Sequence, residues 1–141
     1  MYCYFSLCKF LDELAIGIAT GLYTGGLVTQ LVRFASLKNE ALRLVREIDF
    51  GDDLVPWSTT IQQINQAQRR FVNISSDFYY LRHVRAGNTI NELSNEFAAF
   101  SPNIPAAQVV SDAYLRWQQT LRKMPPNWLR VFLPVVNLLK M

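Results

Sequence analysis

Apolar residues fall along this chain in two regimes. From Leu14 to Val32, LAIGIATGLYTGGLVTQLV, nineteen residues pass without a formal charge, whereas beyond Arg33 apolar positions recur every three or four residues. The first regime predicts a helix with no consistently polar face, and the second predicts helices that each bury one stripe. At 1.5 Å per residue the uncharged run reaches roughly 28 Å, close to the ~30 Å hydrocarbon core of a bilayer. It is a candidate membrane span.

Behind the run, SLKNEALRLVREIDF places Leu37, Ala41, Leu44, Val45 and Ile48 on one stripe, and Gly51 followed by Asp52 and Asp53 ends it. Nothing between Val32 and Ser36 breaks a helix, so the pattern predicts one rod from Leu14 to Phe50. A second long helix follows LVPW, capped by Ser58 or Thr59, with Ile61, Ile64, Phe71, Ile74, Phe78 and Leu81 on its apolar side and Gly87 as its stop. Thr89 and Glu92 have capping-box spacing and predict a short third helix carrying Ile90, Leu93, Phe97 and Phe100.

Pro102 and Pro105 make 101–105 a loop, because each restricts the residue before it away from helical geometry. Helical period returns from Ala106 to Lys123 with Val110, Tyr114, Trp117 and Leu121. After Pro125-Pro126, Asn127 caps a last apolar segment, WLRVFLPVVNLL, which is too short to span. The expected architecture is all-α, without strands or repeats. It divides into an N-terminal tail (1–13), a transmembrane helix (14–32), a helical extension (33–50) and a helical domain (51–141) with an apolar C-terminal helix.

Gly17, Gly21 and Gly25 stand four apart inside the uncharged run. Each costs a water-exposed helix about 1 kcal/mol relative to Ala, so a helix in water gains nothing from the pattern. In hydrocarbon the same spacing makes a groove on one face that lets a second backbone approach closely. Thr20, Thr24 and Thr29 lower the hydropathy of the run, but their hydroxyls can bond back to the preceding turn. The competing reading makes the run a buried helix or strand pair of a soluble core, with Gly25-Gly26 as a turn.

Charge adds an orientation. Lys9 stands alone against Asp12 and Glu13 before the run, while Arg33, Lys38, Arg43 and Arg46 follow it. By the positive-inside rule, the C-terminal domain faces the cytoplasm or the mitochondrial matrix. The start MYCYFSLCKFLDE resembles neither a cleaved signal peptide nor an Arg-rich transit peptide. Both cysteines, Cys3 and Cys8, lie in that tail, so the body has no disulfide framework. The 141-residue chain carries a net charge of +3 and is 50% hydrophobic and 13% aromatic, more apolar material than one small helical domain is expected to bury alone.

Catalytic chemistry finds no motif here. There is no phosphate-binding loop, no nucleophile elbow and no metalloprotease helix, and GIATGLYTGG lacks the order a dinucleotide turn requires. His83 is the lone histidine, flanked by Arg82 and Arg85, and reads as a surface or interface residue whose protonation those arginines disfavour. Asp52-Asp53 is a turn signal without the further oxygen ligands of a calcium loop. Asn73-Ile74-Ser75 matches a glycosylation acceptor but falls mid-helix, on the inner side. No cofactor and no metal site is expected.

Arg69, Arg70, Arg82 and Arg85 are the basic residues of the middle segment. A nucleic-acid binder would cluster such charges and carry more of them, so anionic lipid or neighbouring subunits are the expected partners, with no nucleic acid and no small-molecule substrate. On one continuous helix Arg69 and Arg82 would point to nearly opposite sides, which favours contacts with several protein neighbours over one flat bilayer. Trp128 and Phe132 on the last segment are further interface or lipid-contact candidates.

The seam of Gly17, Gly21 and Gly25 is similar in kind to the GxxxG helices of small accessory subunits in membrane complexes, including those at the dimer interface of mitochondrial ATP synthases. That resemblance is confined to the three glycines. It implies a non-catalytic, single-pass accessory subunit docked by its transmembrane helix, in an energy-converting inner membrane such as one housing a respiratory complex or ATP synthase, mitochondrial ahead of bacterial. The alternative is a soluble helical adaptor without a membrane span.

Overall fold

The structure, a computed structural model, describes residues 2–48, 57–100 and 107–132, and the side chains of 9–48, 58–99, 112–129 and 131–132 among them. Every element among these is helical: α1 (Tyr2–Arg46), α2 (Trp57–Tyr80), α3 (Val84–Phe100), α4 (Ala107–Lys123) and the short α5 (Trp128–Phe132). The chain is therefore all-α, as the periodicity predicts. The expected turns at Gly51 to Asp53 and at 101–105 lie outside the described residues, as do the side chains of Cys3, Cys8, Phe100 and Val110.

α1 runs without interruption through the uncharged segment and into the amphipathic one, stopping at Arg46, short of the expected Phe50. It begins at Tyr2, so the expected tail is helical as well. The chain forms two compact units, Met1–Val32 with Trp128–Met141, and Arg33–Asn127.

In the unit 33–127 the last turns of α1 supply Phe34, Ala41, Leu42, Leu44 and Val45, and Ile48 just after it adds to them, in a core completed by α2, α3 and α4. Its aromatic spine is Phe71 stacked on Phe97 at 5.1 Å between ring centroids, with Phe97 against Trp117 at 4.2 Å. All three rings are buried, and each contributes about 1.5–3 kcal/mol of apolar burial or more. Trp117 keeps its indole N–H satisfied by donating to Glu96 Oε2 at 2.6 Å, and Arg116 pairs with the same oxygen at 3.0 Å. The stripes read from the sequence are the stripes buried, with Leu37, Ile61, Leu81 and Tyr114 at their half-buried margins.

Three further helix boundaries, at both ends of α2 and the start of α3, differ from the sequence reading, each for a local reason. α2 begins at Trp57, ahead of Ser58 and Thr59, so neither caps it. α2 ends at Tyr80 rather than at Gly87: His83 N donates to Phe78 O and Arg82 N donates to Tyr79 O, both at 2.8 Å. That paired pattern is a Schellman cap with Arg82 in the left-handed position at φ 61°, a place glycine usually fills. α3 then starts at Val84, which puts Thr89 inside a helix, where its hydroxyl bonds back to Arg85 O at 3.0 Å instead of capping.

Gly87 is therefore a packing position on α3. A Cβ there would sit 2.9 Å from Tyr79 Cε1, and Ser75 Oγ donates to Gly87 O at 2.9 Å, so α2 and α3 approach through this glycine. Lys38 on α1 donates its ammonium to the carbonyls of Arg122 at 2.7 Å and Met124 at 3.1 Å, satisfying orphan acceptors at the C-terminal end of α4. Asn73 points outward while Ile74 and Ser75 face the core, so only part of that triplet lies on the inner side.

Candidate functional site

The uncharged run is helical throughout in spite of its glycines, and the preceding turn supplies every threonine hydroxyl in it with a partner. Thr20 donates to Ile16 O at 2.8 Å, Thr24 to Thr20 O at 2.7 Å and Thr29 to Gly25 O at 2.8 Å. The hydroxyls most hostile to an apolar surrounding are thus satisfied within the helix. What the helix shows outward is apolar on all sides: Ile16, Ile18, Leu22, Val28 and Val32 are all more than half exposed, Leu22 the most at 74%.

Within that surface Gly17, Gly21 and Gly25 are exposed, and a Cβ added at any of them would meet nothing within 4 Å. The contrast with Gly87 is physical rather than compositional. Gly87 is occupied by a neighbouring side chain of its own chain, whereas the seam is open along its whole length. One helix among the described residues, Lys9–Arg46, is long and apolar enough to cross a membrane, and its apolar window, of mean hydropathy 1.3, is 0% buried.

The unit that holds the run also holds α5. Tyr23, at the middle of the run, donates its phenol to Phe132 O at 2.7 Å, on the last described residue of α5. Trp128 and Phe132, singled out from sequence, are brought together: their rings stack at 5.8 Å with 24° between planes, and both are about half exposed. The Tyr23 contact has no sequence signature, since it joins residues 109 apart.

The four middle arginines do not share a helix. Arg69 and Arg70 lie on α2, Arg82 in the cap that follows it and Arg85 on α3, so the single-helix angle between Arg69 and Arg82 does not apply. Arg70 reaches Glu40 on α1 at 4.0 Å, an exposed pair of small energetic weight.

His83 is neither a surface nor an interface residue. It is 1% exposed, with Phe34 and Phe78 packed edgewise against its ring at 4.9 and 6.5 Å. Its Nδ1 accepts from the backbone N–H of Asn127 at 3.1 Å, and its Nε2 has no partner among the described residues. Burial lowers its pKa from the ordinary 6.5, so desolvation, and not the neighbouring arginines, disfavours the proton. Among the described residues no carboxylate orients it as a base. Among the described residues no group of three or more His, Cys, Asp or Glu is placed to hold a metal ion.

No family model, no curated protein and no solved structure matches the chain.

Proposed function

We propose that this chain is a non-catalytic, single-pass subunit of a larger membrane assembly, held there by the seam of Gly17, Gly21 and Gly25. The observation that supports it most is the open seam on a helix that is apolar all round and has satisfied its own threonines. A helix of that kind in water exposes a large apolar surface for no return, whereas in lipid the glycines supply close backbone packing with a partner helix. The exposed pair Trp128 and Phe132 extends the same unit with a second apolar contact for protein or interfacial lipid. Arg69 and Arg85 are exposed on different helices and suit carboxylates on neighbouring subunits.

The basic residues after the run favour the cytoplasm or matrix for the helical unit, and an energy-converting inner membrane is the setting that the seam's likeness suggests. Alkaline carbonate extraction tests the first step. Retention in the membrane pellet supports the span, and release into the supernatant favours the alternative, a helical adaptor that uses the apolar run to bind another protein.

A further inference from the structure

The unit 33–127 contains a cavity of about 240 Å³ lined by Arg33, Ser36 and Leu37 of α1 and by Asp77, Tyr80 and Leu81 of α2 and its cap. Its chemistry is divided. Most of its exposed lining is apolar surface, with Leu37 and Leu81 half-buried, and the polar groups are few: Arg33 is a fixed cation, Asp77 a carboxylate, and Ser36 and Tyr80 carry hydroxyls. Arg33 and Asp77 line the same cavity without an ion pair to each other or to any described residue. Lys38, the neighbouring cation, is already committed to the carbonyls of Arg122 and Met124.

We infer that this cavity binds the headgroup of a zwitterionic phospholipid bearing a primary amine, such as phosphatidylethanolamine. The inference rests on the membrane reading above, because Arg33 is the first charged residue after the uncharged run and so stands where a spanning helix meets headgroups. Arg33 and Ser36 donate to the phosphate, and a guanidinium matches two phosphate oxygens at once. Asp77 accepts N–H bonds from the ammonium, which a short ethylene link holds beside that phosphate. A purely anionic headgroup would satisfy Arg33 but set a negative charge against Asp77. A choline headgroup would bring a cation with no N–H to donate. Leu37 and Leu81 give the glycerol end an apolar surface.

The test uses the full chain reconstituted in phosphatidylcholine vesicles containing minor, equal shares of phosphatidylethanolamine and phosphatidylglycerol. The protein is extracted in mild detergent, and the co-purifying lipid is quantified by mass spectrometry. Because the cavity is open to solvent, phosphatidylethanolamine is expected at about five-fold over its bulk share, the scale of a half-exposed charge pair. Asp77→Asn and Arg33→Gln each return it to the bulk share, with unchanged circular dichroism, while Lys123→Gln leaves the enrichment intact. Enrichment of phosphatidylglycerol or phosphatidylcholine instead, or no enrichment in a chain that resists carbonate, overturns the headgroup assignment and leaves the membrane span standing. Release of the chain by carbonate removes the membrane reading, and this inference with it.

Discussion

The backbone N–H of Asn127 donates to Nδ1 of His83 across 3.1 Å, tying the segment after α4 to the turn between α2 and α3 through a buried ring. That bond needs Nδ1 without a proton, and burial independently holds the His83 pKa below its ordinary 6.5. The unfolded chain therefore takes up this proton first as the pH falls. The stabilisation is complete above 6.5 and is lost as the pH drops from there through the lower folded-state value. Urea midpoints measured between about pH 7.5 and about pH 5.5, above the range in which carboxylates titrate, should fall for the native chain and hold nearly level for His83→Gln.

Arg82 sits at φ 61°, where a side chain with a Cβ is disfavoured. Arg82→Gly should raise stability by about 0.5–1 kcal/mol, the relief of the left-handed strain less the extra freedom glycine brings to the unfolded chain. A higher midpoint in chemical denaturation is the expected result, and a lower one would show that the arginine side chain contributes more than its backbone costs.

Gly87 and Gly21 separate two uses of one residue type. At Gly87 a leucine must enter space held by the Tyr79 ring, whose hydroxyl is fixed to Asn88 Oδ1 at 2.6 Å, so Gly87→Leu should cost the fold about 2 kcal/mol. At Gly21 a side chain meets open space, and Gly21→Ile should not lower the denaturation midpoint of the isolated chain.

Helix content, the apolar stripes of α2 to α4 and the continuity of α1 were legible because they follow from period and from the lack of a breaker between Val32 and Ser36. The α2–α3 boundary was not legible. An arginine occupies the cap position where glycine is the usual signal, and the true glycine, Gly87, serves helix packing five residues later. His83 was misplaced for a related reason: its burial depends on Phe34, which lies 49 positions upstream on another helix. The seam could be read as a spacing, whereas its openness is a property of the folded chain alone, since Gly87 shows that a helical glycine can equally be filled from within.

The docking role of the seam is tested most directly by the assembly of the Gly21→Ile chain. Wild type and variant are expressed in the native membrane, and the mass of the complex containing each is read on a native gel after mild solubilisation. The expected result is equal membrane insertion, because hydropathy rises, with the variant lost from the large complex and found as free chain. Full incorporation of Gly21→Ile into the same complex would contradict the claim that this face of α1 holds the protein in place.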